Sequence, residues 1–442
     1  LKHKQSRRQA PKKIAPGAIT DYFVDGLTHE AKGVARVNGK VVFIDGALPN
    51  ERVSAQVIKP GRRFDEAKLI SILEPAIDRV VPTCSHYDKC GGCRFQHLSY
   101  PSQIESKKTW LNSQLRNIPP TYSLTALQGS EFGYRRRARL SLRVKGASIE
   151  LGFREKSSSS IVDIKQCPVL TFSLESLIVP LNRFIKSSEE VVKIGHIELL
   201  EDDVGVSVII RLTSKLDPMI KDRWHAFADD YNLSLYWQEP AESKAVLNVE
   251  ELRRYTVAST VIEFHPQDFI QVNAEMNQKM VSQAVSWLDL SAQDVVLDLF
   301  CGTGNFSFAL ARKAKAVVGI ELLPSMVENA QRNQHLNRLD NVSFIAADLT
   351  KAESAADIPK GITKVFLDPP RAGAFEFLPN IINLKPDKIL YVSCNASTLA
   401  RDAEFLVANG YQVEKVSLME MFPQTAHVET MMLLQKSSKQ KR

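Results

Sequence analysis

The chain of 442 residues, 44% hydrophobic and 8% aromatic, is long enough for two or three folded domains and too apolar for an unstructured polypeptide. Its net charge of +7 is uneven: Lys2, Lys4, Arg7, Arg8, Lys12 and Lys13 precede the first acid, and Lys436, Lys439, Lys441 and Arg442 close the sequence, as suits a polyanionic partner or merely solvated ends. No run of about 18 apolar residues occurs, which excludes a helical membrane span, and the basic start lacks the apolar stretch of a secretory signal, so a cytoplasmic protein with no membrane partner is expected.

Residues 1–15 read as a basic tail. From Ala18 to Leu73 short strand-like runs alternate with turn signals: Gly33–Arg36, a turn at Asn38-Gly39, Lys40–Ile44, a break at Gly46–Pro49, Val53–Ile58 and Ala67–Ile72. This spacing predicts a small antiparallel, OB-like barrel over residues 16–75. Arg62, Arg63 and Lys68 sit on its last hairpin, as in an RNA-binding barrel, although a barrel without a ligand fits the same pattern.

Residues 76–264 read as a central α+β domain. It opens on Cys84, Cys90 and Cys93, spaced C-x5-C-x2-C, and later carries Cys167 followed by Pro168. Reduced cytoplasmic thiols need a use other than disulfides. Four thiolates suit a [4Fe-4S] cluster or a zinc ion, and spacing leaves both open beside unliganded cysteines. Gly91-Gly92 allows the loop to bend so that neighbouring thiols converge. A helix is expected over Ser102–Arg116, then strands mixed with helices through Leu212. The run Tyr134-Arg135-Arg136-Arg137-Ala138-Arg139 leads into an alternating strand, Leu140–Val144. Its arginines beside a tyrosine suit phosphate binding and base stacking, but alternate strand side chains leave on opposite faces, so only some can share a surface.

From about His265 strands and helices alternate, which predicts a Rossmann-like parallel α/β domain over residues 265–442. Strands are expected at Asp294–Leu299, Ala316–Ile320, Val342–Ile345, Lys364–Leu367 and Lys388–Val392, with two late strands near Val413–Met419 and Val428–Leu434. The turn Asp298-Leu299-Phe300-Cys301-Gly302-Thr303-Gly304-Asn305-Phe306 lets backbone approach a ligand, and a following helix N-terminus suits a carboxylate such as that of methionine. Glu321 lies nineteen positions beyond Gly302 (321 − 302), where an acid can accept ribose hydroxyls. A nicotinamide dinucleotide is the rival, but Ser307 fills the last glycine position of its fingerprint. With Asp348 placed to meet adenine, S-adenosylmethionine is the better fit.

Three segments end late strands, where open α/β sheets bind ligands: Asp368-Pro369-Pro370-Arg371, Ser393-Cys394-Asn395 and His427-Val428-Glu429. Carbon 5 of uracil becomes nucleophilic once a thiolate adds to carbon 6, and a base must then remove the carbon 5 proton. Cys394 and Glu429 supply that thiol and that base. Cys301, inside the cofactor turn, is the rival thiol and reads as a small buried residue. Asp-Pro-Pro also occurs in amino-methyltransferases, but Arg371 replaces the aromatic ring that would stack on their base.

Together these residues resemble the RNA 5-methyluridine methyltransferases, over nearly the whole chain. Within that family the likeness is to the large-subunit 23S rRNA branch, which carries a TRAM barrel and a [4Fe-4S] cluster. The TRAM-like stretch runs from Gly33-Val34-Ala35-Arg36 through Phe43-Ile44 to Leu48-Pro49, with Asn50 where many TRAM domains have glycine. The resemblance implies Cys84, Cys90, Cys93 and Cys167 as cluster ligands. It implies Gln271, Phe300, Asn305, Glu321, Asp348 and Asp368 as S-adenosylmethionine contacts, Cys394 as nucleophile and Glu429 as proton acceptor. The implied partner is 23S rRNA, free or in an early assembly particle, with no obligate protein partner. The same chemistry on another rRNA or tRNA uridine shares every catalytic residue, and an inert RNA-binding or assembly protein would need neither Cys394 nor Glu429.

Overall fold

The computed structural model describes residues 17–146, 148–188, 190–240, 252–351 and 358–437. The basic tail expected over residues 1–15 lies outside them, as do Lys439, Lys441 and Arg442. The chain divides into two compact units. The first comprises residues 1–83, 93–110 and 424–426, and the second residues 84–92, 111–423 and 427–442.

Strands β1 (Ile19–Leu27), β2 (Lys32–Val37), β3 (Lys40–Asp45), β4 (Arg52–Pro60) and β5 (Phe64–Glu74) close into a barrel of order β1-β2-β3-β5-β4 in the first unit. Strand periodicity explains its filling: Tyr22 and Val24, Val42 and Ile44, and Val53, Ala55 and Val57 all point inward at every second position. Asn38 and Gly39 both take positive φ (51° and 80°), as the tight β2–β3 hairpin requires. Two features differ from the expected antiparallel barrel. β3 and β5 pair in parallel, because β4 returns along β1 and leaves β5 to fill the gap beside β3. β1 was not among the expected runs, since Asp21, Asp25 and Gly26 interrupt its apolar pattern.

The expected helix is present as Tyr100–Gln114. In the second unit, β6 (Ser123–Leu127) precedes a six-stranded sheet built from β7 (Arg137–Lys145), β8 (Ser148–Arg154), β9 (Ile161–Asp163), β10 (Ile194–Asp202), β11 (Gly205–Leu212) and β12 (Leu233–Gln238), in the order β12-β11-β10-β7-β8-β9. Alternate residues Leu140, Ile197, Leu199, Val208 and Ile210 pack with Ile178, Leu181 and Trp224 from its helices.

Two arginines of the run at the start of β7 are taken up by structural bonds, which narrows the phosphate-binding expectation to the others. Arg136 is buried, donates to the Gln271 carbonyl at 2.9 Å and lies 4.8 Å from the Tyr255 ring centre. Arg137 donates to Glu198 at 2.5 Å and to the carbonyls of Asp268 and Pro266 at 2.6 and 2.9 Å. Arg139, 63% exposed, is left facing solvent.

A hairpin of β13 (Arg253–Val257) and β14 (Thr260–Phe264) leads into the largest sheet. Its strands are β15 (Val295–Leu299), β16 (Ala316–Glu321), β17 (Val342–Ala346), β18 (Lys364–Leu367), β19 (Lys388–Ser393), β20 (Tyr411–Met419) and β21 (Glu429–Lys436), in the order β17-β16-β15-β18-β19-β21-β20-β6. β15 to β19 run parallel and β21 enters antiparallel between β19 and β20. The edge strand β6 comes from the stretch expected to belong to the central domain, and pairs in parallel with β20. The strand order reverses between β15 and β18, which opens a crevice at their carboxyl ends.

Candidate active site

The turn after β15 is built for close approach. Phe300 takes φ +62°, a strained value for a bulky residue, and Gly302 and Gly304 take +56° and +94°. A Cβ on Gly304 would lie 2.4 Å from the Phe308 ring. The helix that follows, Ser307–Ala311, has only five residues, so the expected helix N-terminal charge is weak.

All six residues expected to contact the cofactor line one cavity of about 380 Å³. Phe300 and Asn305 come from the turn after β15, Glu321 ends β16, Asp348 follows β17, Asp368 follows β18, and Gln271 lies just before the helix Ala274–Leu288. Glu321 is pinned by two backbone donors, Gly302 N–H and Leu323 N–H, each at 3.1 Å. Asn305 is fixed by Tyr255, whose hydroxyl donates to its carbonyl at 3.0 Å, and by a reciprocal amide pair with Asn277 at 2.9 Å. Hydrogen bonds from Thr350 hold the Asp348 carboxyl below its ordinary value.

The cavity floor is acidic. Burial pushes Asp298 up to about 7, against a bond from Ser307 at 2.5 Å and with help from the charges of Asp368 and Glu321. Burial likewise raises Asp368 to about 7. Oδ1 of Asp298 has no hydrogen-bond partner among the described residues. Carboxyls held partly protonated beside an empty volume favour a cationic ligand, which restores their charged forms.

Cys394 and Glu429 meet through strand register. β19 and β21 pair antiparallel with Ser393 opposite Thr430, so the next position along the ladder sets Cys394 opposite Glu429. Burial raises the Cys394 thiol, the charges of Glu429 and Asp368 raise it further, and Arg371 opposes them. Glu429 is pushed up to about 8 by burial and by Asp368, again opposed by Arg371. Asp368 therefore lines the cavity, and its charge also reaches Cys394 and Glu429. The rival thiol, Cys301, is buried, and burial with the charges of Asp298 and Glu321 drives it far up, which disfavours the thiolate.

Residues 99–437 match the family model described as tRNA (Uracil-5-)-methyltransferase, and residues 23–70 match the TRAM domain. The chain belongs to the tRNA (uracil-5-)-methyltransferase family. Among this methyltransferase's relatives, a protein named 23S rRNA (uracil(1939)-C(5))-methyltransferase RlmD from Marinomonas sp. (strain MWYL1) is 55% identical over 97% of this chain and 98% of its own. One of the same name from Shewanella woodyi is 41% identical over 94% and 95%. The fold is that of Pyrococcus abyssi tRNA (uracil-54, C5)-methyltransferase, solved with S-adenosyl-L-homocysteine. The TM-score is 0.75 at 24% identity, covering 94% of this chain and 100% of that one.

The cysteines of this methyltransferase are distributed between its units: Cys84, Cys90 and Cys167 fall in the second and Cys93 in the first. Within the second unit, burial raises Cys84, with further contributions from Cys90 and Glu175, while Glu175 accepts the Cys167 backbone N–H at 3.0 Å. Gly91 lets the loop press on the Arg154 carbonyl, 3.0 Å from where a Cβ would stand. Among the described residues no group of three or more His, Cys, Asp or Glu side chains is arranged as a metal site. No helix among them is long and apolar enough to cross a membrane.

Sequence reading gave no role to Tyr255, which lines the cavity, or to Asn277, which holds Asn305 from the helix Ala274–Leu288. Both lie in segments without a motif. Asp298 opens the glycine-rich turn and also lines the cavity, although its position in the sequence assigned it no contact of its own.

The raised Glu429 carboxyl has a stability signature. Below the ordinary carboxylate range both folded and unfolded states hold the proton. As pH rises from there to about 8, the unfolded chain releases a proton that the folded site keeps, so folding is penalised over that window and the penalty levels off above it. Glu429→Gln should therefore melt higher than the parent protein at pH 8, by on the order of 1 kcal/mol or roughly 2 °C once partial exposure is allowed for. The gain should disappear near pH 4. Equal differences in melting temperature at both pH values would show that the carboxyl is not held in this way.

Proposed function

We propose that this chain is a cytoplasmic S-adenosylmethionine-dependent methyltransferase acting on carbon 5 of the 23S rRNA uridine that its relatives' name numbers 1939. The carrying observation is that Asp368 lines the cofactor cavity while its charge reaches Cys394 and Glu429. S-adenosylmethionine, when bound, supplies a methyl group on a cationic sulfonium, which suits Asp298, Glu321 and Asp368. Gln271, Phe300, Asn305 and Asp348 complete the cofactor contacts in this reading.

The remaining chemistry belongs to the chain. Cys394 gives its proton to solvent, the thiolate being favoured by Arg371, and its sulfur bonds to carbon 6 while the carbon 5–carbon 6 π pair shifts to carbon 5 and the carbon 4 carbonyl, leaving carbon 5 electron-rich. After carbon 5 has been methylated, Glu429 accepts the proton from that carbon, and the electron pair expels the Cys394 thiolate. A carboxyl raised to about 8 is matched to that transfer near neutral pH. In this reading the barrel, through Arg62, Arg63 and Lys68, and Arg139 of the second unit hold RNA while the uridine is extruded into the site.

In this reading residues 16–75 form the RNA-binding TRAM barrel, residues 76–264 the central domain and residues 265–442 the catalytic domain. Cys84, Cys90, Cys93 and Cys167 hold a structural [4Fe-4S] cluster, a role that rests on their spacing and on the family resemblance. The substrate is 23S rRNA, free or in an early assembly particle, and no obligate protein partner is needed.

Mapping 5-methyluridine at nucleotide resolution in RNA from cells lacking this protein tests the reading. Loss at one 23S rRNA uridine, restored by the wild-type gene, is expected. Loss at a tRNA or another rRNA uridine would keep the chemistry and overturn the substrate.

A further inference from the structure

The loop that follows Asp368 is fastened from behind. Its carbonyls at Arg371 and Ala372 accept from three side chains at the start of the helix Ala396–Ala408: Asn395 at 3.1 Å, Thr398 at 3.2 Å and Arg401 at 2.9 Å. Beneath it lies Asp402, a fully buried carboxylate. One of its oxygens accepts from Ala374 N–H at 2.8 Å and from the Tyr391 hydroxyl at 2.7 Å, and the other accepts from Arg401 at 2.8 Å. The fit leaves no slack at Gly373, which takes φ +83° and where a Cβ would lie 2.6 Å from Asp402 and 2.7 Å from Arg401.

Burying a carboxylate is costly unless its oxygens are well satisfied, and of the donors to Asp402 the Ala374 N–H is the one that the loop itself supplies, made only while the loop lies in this position. We propose that Asp402 is a positioning residue that locks the loop Arg371–Ala374 onto the helix following Cys394, and so holds the Arg371 guanidinium beside the nucleophile. The proposal rests on the functional reading of Cys394 given above. The groups that face the thiol are Glu429 from β21, and Asp368 and Arg371 from this loop. Of these only Arg371 favours the thiolate, so a loop that drifts takes away the one opposing charge.

Asp402 accepts from donors on both oxygens, so an amide in its place must turn an NH2 group against Ala374 N–H or Arg401. The test is the pH dependence of Cys394 alkylation by iodoacetamide in the full-length protein, followed on its own peptide by mass spectrometry, for the wild type and Asp402→Asn. The alkylation midpoint should rise by about one unit, the low end of what an opposite charge contributes. Adduct formation with RNA at pH 7 should fall about tenfold and recover at high pH. Thr398→Val, which removes one loop bond and leaves the buried carboxylate intact, should shift the midpoint less in the same direction, and it replaces Asp402→Asn if that variant does not fold. Tyr391→Phe removes a bond to Asp402 away from the loop and should leave the midpoint in place. A uniform loss of alkylation at every pH, an unchanged midpoint, or an equal shift in Tyr391→Phe would reduce Asp402 to a core support. Because alkylation needs no RNA, a wild-type protein that methylates no uridine would sink the functional reading without deciding this one.

Discussion

Glu429→Gln should accumulate a covalent, methyl-labelled protein–RNA band on a denaturing gel, whereas Cys394→Ala should give none. The two residues lie one step past Ser393–Thr430, the last pair of the β19–β21 ladder, and the proposed mechanism has them act at different times. Without the sulfur, carbon 6 is never attacked, carbon 5 stays a poor nucleophile, and no adduct forms although RNA and cofactor still bind. With an amide at position 429 the attack and methylation proceed, but nothing accepts the carbon 5 proton and the thiolate cannot leave. Turnover should fall by at least about 10²–10⁴-fold for the loss of the base, and below detection for the loss of the nucleophile. Cys301→Ala should remain active, since its thiol is buried within the turn after β15 and burial disfavours its thiolate. A shifted band from Cys394→Ala, or its normal turnover, would overturn the mechanism.

Protein purified without oxygen should be brown and carry about four irons per chain, if the four cysteines ligate a cubane cluster. Serine at Cys84, Cys90, Cys93 or Cys167 should cost most of the folded protein before it changes the chemistry, because metal ligation there contributes to folding and the uracil reaction transfers no electron. The measurement is iron and zinc analysis beside the visible spectrum. Stoichiometric zinc in a colourless protein would replace the cluster by a zinc site, and neither metal would leave the cysteines as packing residues.

Much of this was legible in order of strength of pattern. The five parallel strands β15 to β19 read clearly because each is a short apolar run bounded by turn residues. The cofactor cavity was legible because Glu321 ends β16 while Asp348 and Asp368 follow β17 and β18, at the carboxyl ends of such runs, where the chain must turn anyway. β1 was not, because its inward Tyr22 and Val24 are diluted by acids on the solvent side.

What the sequence by itself determined is local: which residues alternate, where the backbone must turn at Gly302 and Gly304, and which side chains have the chemistry for a nucleophile and a base. Tertiary structure decided which of them meet. Cys394 and Glu429 become partners because β21 enters antiparallel beside β19, a pairing that no local period encodes. The arginines of the β7 run share one composition, yet Arg136 and Arg137 are consumed by the carbonyls of Gln271, Asp268 and Pro266, while Arg139 faces solvent. Periodicity reports which face of an element is buried. It carries no record of the neighbour that buries it, and for charged side chains that neighbour decides between a buried structural bond and an exposed charge.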